Sequence, residues 1–142
     1  ASYFLPLGYS IVSEDFDGKQ TPNVHRSYGY DVFRPINREV KMAILVNRGS
    51  ASASEILAGA LHDHDKAILV GEQTFGKGSV QELIDLGGGA SLKVTIAKWM
   101  TPDGVSISHK GLTPDIVATR TLDDLKAGKD PQMDKAVEYL LK

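Results

Sequence analysis

Three serines at alternate positions, Ser50, Ser52 and Ser54, and a lone lysine between two glycines, Gly76-Lys77-Gly78, are residues whose types and spacing could do covalent chemistry. A serine oxygen attacks a carbonyl once a base takes its proton, and a lysine is such a base only when neutral. Neutrality requires apolar surroundings, for which Phe75 and Val80 are the nearest candidates in sequence. Bringing a lysine from its ordinary pKa to about 7–8 takes about 3–5 kcal/mol of differential interaction.

The elements that must position these residues are legible around them. Residues 42–46, Met-Ala-Ile-Leu-Val, form an apolar run that reads as a strand. Asn47-Arg48-Gly49 is a tight turn, and Ile56, Leu57, Ala60 and Leu61 recur at helical spacing. The serines therefore fall at or just inside a helix N-terminus, where unpaired N–H groups and the helix dipole favour developing negative charge. An oxyanion would form beside those donors. Ser52-x-x-Glu55 also reads as a capping box, a purely structural use of the same residues. Residues 67–70 read as a second buried strand delivering the loop from Gly71 to Gly78, whose glycines let the backbone fold closely around Lys77.

Downstream, residues 79–86 and 90–100 flank Gly87-Gly88-Gly89 and predict a β-hairpin. Thr101-Pro102-Asp103-Gly104 is a turn, residues 105–108 a short strand and residues 121–129 a polar connector. Asp130-Pro131 starts a helix as N-cap and first residue. Its stripe of Met133, Ala136, Val137, Leu140 and Leu141 is expected to dock on the core. Asp134 and Glu138 break up the basic character of a membrane-surface helix. Residues 1–40 carry only short apolar pieces. The Asp15 and Asp17 cluster is a solvated turn, because the spaced ligands of a calcium loop are absent.

Composition narrows the function classes. The 142 residues, 42 % hydrophobic, suit a single packed domain. Sixteen Lys and Arg stand against 18 Asp and Glu with no basic stripe, which argues against nucleic acid. Without cysteine there is no disulfide framework and no thiol nucleophile. No apolar run approaches the length of a membrane span, and no signal peptide opens the chain.

Two further patterns fall short. In His62-Asp63-His64-Asp65, residues two apart do not share a helix face, and His62 lies about 15 Å along the helix from Ser52. A metal site or Ser-His-Asp triad is therefore not expected; His62 and His64 read as surface residues complementing the helix dipole, and His25 and His109 as surface residues. Gly71-x-x-x-x-Gly76-Lys77-Gly78 resembles a phosphate-binding loop, but Gly78 stands where Ser or Thr must hold the magnesium ion.

Residues 46–61 (V-N-R-G-S-A-S-A-S-E-I-L-A-G-A-L), 71–81 (G-E-Q-T-F-G-K-G-S-V-Q), 101–104 (T-P-D-G) and 111–116 (G-L-T-P-D-I) together resemble the C-terminal processing peptidases, or tail-specific proteases. These are Ser-Lys serine endopeptidases that cleave proteins near their C-terminus. The resemblance implies Ser52 as nucleophile, Lys77 as general base twenty-five residues later, Gln81 orienting the lysine and the Ala53 N–H as an oxyanion donor. Some members also depend on an aspartate matching Asp63, which at about 16 Å along the helix is too far for direct catalysis.

The implied fold is α/β, a Clp protease/crotonase-like core with a β-hairpin-rich tail and a C-terminal helix. Residues 1–120 are expected to be part of that core, without its upstream portion or PDZ domain, and 121–142 a connector and amphipathic helix. No cofactor or metal is implied. Partners are polypeptide substrates, with self-association or association with a missing core fragment expected, and the setting is extracytoplasmic. The isolated chain is expected to be weakly active or inactive. Two other readings remain: a non-catalytic binding module on the same scaffold, as in retinoid-binding relatives, and a nucleotide-binding protein.

Overall fold

A computed structural model describes residues 1–30, 32 and 40–142. The elements run β1 (Ser10–Asp15), β2 (Asn23–Arg26), β3 (Ala43–Val46), α1 (Ala53–Asp63), β4 (Ile68–Gly71), β5 (Ser79–Gly87), β6 (Ala90–Met100), β7 (Ile116–Val117), α2 (Leu122–Lys126) and α3 (Pro131–Leu140). They form two sheets, an antiparallel one in the order β2-β1-β6-β5 and a parallel one in the order β3-β4-β7.

The expected strand–turn–helix–strand unit is present as β3-α1-β4. Parallel neighbours need a long crossover, and α1 supplies it. Val46, Ala58, Leu69, Ile107 and Leu112 form one buried cluster under α1; Leu5, Ala60, Leu61 and Ala67 form another. By strand alternation Val70, also fully buried, faces the other side of the sheet. There α3 packs on β3 and β4. Gly71 must be glycine: its φ is 132°, and a Cβ would fall 2.1 Å from the Val46 carbonyl oxygen.

The hairpin also forms as expected, β5 and β6 joined across Gly88 and Gly89. Three expectations fail. Residues 105–108 make only a single bridge, Ser106 to Met100, because Ile107 is spent filling the core under α1. The polar connector contains the short helix α2, closed by Thr121 Oγ1 accepting the Asp124 N–H at 3.1 Å while the Asp124 carboxylate accepts the Thr121 N–H at 3.0 Å. In α3, Asp130 caps as expected, accepting the Met133 N–H at 3.0 Å. Of the predicted stripe only Ala136 docks, on a face it shares with Gln132 and Tyr139; Met133, Val137, Leu140 and Leu141 are exposed. A polar anchor decides the rotation. Gln132 Nε2 donates to the Ala118 carbonyl at 2.8 Å in the buried groove beside Gly71.

Candidate active site

The turn after β3 separates the three serines. Asn47 Oδ1 accepts the Gly49 N–H at 2.8 Å, and Ser50 Oγ accepts the Asn47 N–H at 3.2 Å, so Ser50 is part of the turn. Ser54 lies exposed on the first turn of α1. Ser52 occupies the corner as N-cap, with φ 55° and ψ −116°. That is a sparsely populated conformation for a residue with a Cβ, and such strain concentrates at functional sites. Ala53 is the first helical residue, one of those whose N–H groups a helix leaves unpaired.

Glu55 holds this corner to the lysine loop. Its side chain is fully buried, yet among the described residues it meets no cation and is satisfied by four neutral donors. Oε2 accepts the N–H groups of Ser52 at 2.9 Å and Lys77 at 3.0 Å. Oε1 accepts the Gly76 N–H at 2.7 Å and the Thr74 hydroxyl at 2.5 Å. The anticipated capping role of Glu55 is thus real but partial, because the same carboxylate also organises residues 74–77. A buried carboxylate is tolerable only when its oxygens are saturated in this way.

The loop's other side presses on residues 107–112. Thr74 Oγ1 accepts the Leu112 N–H at 2.7 Å, and the Gly76 carbonyl accepts the His109 N–H at 3.0 Å. A Cβ on Gly78 would lie 2.4 Å from the Ser108 nitrogen, which explains the glycine beside the lysine. Phe75 donates its N–H to the Ser50 carbonyl at 2.9 Å, completing the seam between the two halves.

The loop is therefore packed through its backbone and the Thr74 side chain, and the side chains beyond Thr74 are left outside. Phe75 is 63 % exposed, and Lys77 and Gln81 are exposed. The apolar cover expected for Lys77 from Phe75 and Val80 is not provided by the described residues, and no hydrogen bond joins Lys77 to Gln81 or Ser52 among them. Gln81 lies at the start of β5, where a register shift between Val80 and Gln81 places one extra residue, Ile96, on the facing strand. Bulges of this kind re-aim side chains beside active sites.

The far end of α1 corrects the reading of its histidines. His62 is no bare surface cap. Its Nδ1 lies 3.1 Å from Asp63 Oδ1 and its Nε2 3.1 Å from Asp115 Oδ1. Burial alone would lower the His62 pKa, but hydrogen bonds and charge from Asp63 and Asp115 outweigh it and raise the value above the ordinary histidine range. Asp115 Oδ2 also accepts the Leu69 N–H at 2.7 Å, and Asp63 Oδ2 accepts the Asp103 N–H at 3.0 Å. Asp63 thus anchors the Thr101-Pro102-Asp103-Gly104 turn, away from Ser52. His64 Nε2 bonds the Ser10 carbonyl at 2.7 Å, and His25, exposed as expected, pairs with Glu14 at 3.0 Å. Asp17 pairs with Lys98 at 2.7 Å. Among the described residues no group of three or more His, Asp or Glu is arranged to hold a metal.

Sequence reasoning passed over Thr74 and undervalued Glu55. The signal available for Glu55 was a capping-box glutamate directly following the serine run.

Known proteins share this arrangement of elements. The chain is 51 % identical over 92 residues to a carboxy-terminal-processing protease of Bartonella bacilliformis, covering 65 % of this chain and 21 % of that one. It is 48 % identical over 100 residues to the chloroplastic carboxyl-terminal-processing peptidase 3 of Arabidopsis thaliana, covering 70 % and 19 %. It spans about a fifth of the length of these curated relatives. Among solved structures, a photosystem II D1 C-terminal processing protease superposes with a TM-score of 0.71 at 37 % identity, over 83 % of this chain and 29 % of that one. A peptidase from Parabacteroides merdae shares the fold at 18 % identity, with a TM-score of 0.72 over 99 % and 45 %. Residues 1–118 match Peptidase family S41, and the chain belongs to that family.

Proposed function

We propose that this chain carries the Ser-Lys centre of a carboxyl-terminal processing endopeptidase. The observation that carries the reading is the single oxygen, Glu55 Oε2, that receives the N–H groups of both Ser52 and Lys77. It ties the strained serine corner to the lysine loop through a fully buried group.

In this mechanism Ser52 Oγ attacks the scissile carbonyl of a polypeptide while neutral Lys77 takes its proton. The Ala53 N–H donates to the oxyanion. Lys77 then protonates the leaving amine as the peptide C–N bond breaks, leaving an acyl-enzyme on Ser52. Water, deprotonated by Lys77, attacks the ester and regenerates the serine. Gln81 orients the lysine amine once the site is covered.

Residues 1–120 form part of the protease core and 121–142 a connector and amphipathic helix. The protein works outside the cytoplasm, and the core associates with further protease segments or with another copy. With Ala53 as its one assigned oxyanion donor and Lys77 uncovered, the chain alone hydrolyses peptides poorly, since one lost donor costs about 10²–10³ in rate.

A fluorophosphonate probe tests the assignment in the full-length protein. Covalent labelling at Ser52, abolished by Ser52→Ala, is expected. Labelling at another serine, or none under conditions of active peptide hydrolysis, refutes it; absence of both supports a non-catalytic binding module on the same scaffold.

A further inference from the structure

The last turn of α1 fastens one stretch of chain at two points. Asp63 Oδ2 accepts the Asp103 N–H at 3.0 Å, and His62 Nε2 lies 3.1 Å from Asp115 Oδ1. Between those points residues 107–112 carry the lysine loop. The Thr74 N–H donates to the Leu112 carbonyl at 3.1 Å, the His109 N–H to the Gly76 carbonyl at 3.0 Å, and Gln73 Nε2 to the Lys110 carbonyl. A Cβ on Gly111 would fall 2.6 Å from the Thr74 carbonyl oxygen, so the two segments meet without slack. Residues 103–115 are thus a strap tied at both ends to α1, with the lysine loop seated on its middle.

The tie at Asp115 depends on a proton. Both ring nitrogens of His62 face carboxylate oxygens, Nδ1 at 3.1 Å from Asp63 and Nε2 at 3.1 Å from Asp115. Neutral imidazole has one donor and one acceptor nitrogen, so only the imidazolium satisfies both contacts. Among the described residues Asp63, on the same helix, and Asp115, in the segment entering β7, are the charged groups acting on the ring. When the proton leaves, a nitrogen lone pair opposes one of the two carboxylates. Asp63 is nearly buried and held by the Asp103 N–H, whereas Asp115 is partly exposed, so the contact to Asp115 yields. Asp115 then keeps only the Leu69 N–H on its other oxygen and no longer ties the strap to α1.

We propose that His62, as an imidazolium, is a positioning residue for the lysine loop: it holds the strap against α1, and release of its proton loosens the seat of Lys77. The effect on catalysis rests on the Ser-Lys reading; the coupling of His62 to the loop does not.

The coupling is read first by amide hydrogen exchange in the full-length protein, without substrate. Exchange at residues 74–77 and 109–112, corrected for its intrinsic pH dependence, is expected to quicken about threefold to fivefold as pH rises through the titration of His62, the effect of a partly exposed ion pair. His62→Gln, which carries no charge, should exchange at the faster level at every pH, and His62→Lys, charged throughout, at the slower one. Catalysis should follow. Superposed on the rise as Lys77 loses its proton, kcat for an unstructured peptide falls by about the same factor across that window with KM unchanged. Both variants should lack this falling limb, His62→Gln at the low level and His62→Lys at the high one. Exchange that ignores pH in the parent, or a transition that persists in His62→Gln, overturns the proposal, as does a falling limb in KM alone. If these variants do not fold, Asp115→Asn decides: it keeps an acceptor for the Leu69 N–H, removes a charge facing the ring and must move the transition to lower pH. A transition that stays in place overturns the proposal. Failure of the Ser-Lys reading shows separately, as peptide hydrolysis that survives in Ser52→Ala.

Discussion

Thr74 and Glu55 are joined by a 2.5 Å hydrogen bond from Thr74 Oγ1 to Glu55 Oε1, nineteen residues apart in sequence and both sealed from solvent. The same hydroxyl oxygen accepts the Leu112 N–H. Thr74→Val therefore strands the buried Leu112 N–H and leaves Glu55 Oε1 with the Gly76 N–H as its remaining donor. At about 1–3 kcal/mol for the unsatisfied N–H and about 1.5–3 kcal/mol for a hydrogen bond to a charged group, a loss of about 2–5 kcal/mol is expected in denaturant melts. Thr74→Ser, which keeps the hydroxyl, should stay within about 1 kcal/mol of the parent. Equal losses in the two variants would show that the methyl group, not the hydroxyl, matters.

The three serines should separate cleanly in hydrolysis assays. Ser52→Ala is expected to abolish peptide cleavage. Ser50→Ala removes only an acceptor for the Asn47 N–H on an exposed turn, and Ser54 lies on the outer surface of α1, so both variants should keep most activity. Equal loss from all three substitutions would sink the assignment of Ser52.

Lys77→Arg should be as damaging as Lys77→Ala. Arginine keeps its charge at any workable pH and cannot accept the serine proton. Its longer head is no steric obstacle, because the side chain at this position is exposed. The check is kcat/KM from neutral pH to about 9; appreciable activity in the arginine variant would rule out the lysine as base.

His62 makes stability depend on pH with a definite sign. Its pKa is raised in the folded chain, so the folded state binds the proton more tightly than the unfolded state. The resulting stabilisation is complete below the ordinary histidine value of about 6.5 and is lost as pH rises through the raised folded value. Denaturant midpoints should fall across that window, and His62→Gln should flatten the fall. With the ring partly in solvent, the effect is modest and weakens with added salt. A midpoint that rises over the same window in the parent would contradict the arrangement around His62.

Much of this fold was legible because its signals are local. The strand–turn–helix–strand unit announces itself through an apolar run and helical periodicity, and the hairpin through three consecutive glycines. The nucleophile and base candidates stood out for the same reason: serine beside a turn and lysine between glycines are short patterns. What could not be read depends on partners distant in sequence. Asp115 reaches His62 across 53 residues, and Gln132 finds Ala118 only once α3 has settled against the parallel sheet, which turns the helix away from its predicted stripe. Glu55 looked like a cap because its local partner is Ser52, while three of its four donors arrive from residues 74–77.

Both ends of α1 fasten segments brought from far along the chain, and this has a consequence for the order in which the molecule assembles. The β3-α1-β4 unit and the β5-β6 hairpin close short loops, whereas Ser13 of β1 pairs with Met100 of β6 across more than eighty residues. Closing a long loop costs entropy before any contact rewards it, so distant pairings form late and set the pace. Weakening β1 should then hasten unfolding and leave the refolding rate nearly untouched. Val12→Ala, at a buried site on that strand, checks this in a chevron plot: the unfolding limb rises and the folding limb stays in place. Slowed refolding would place β1 in the nucleus. The last event of folding is then the arrival of the N-terminal strand on a helix and hairpin already in place.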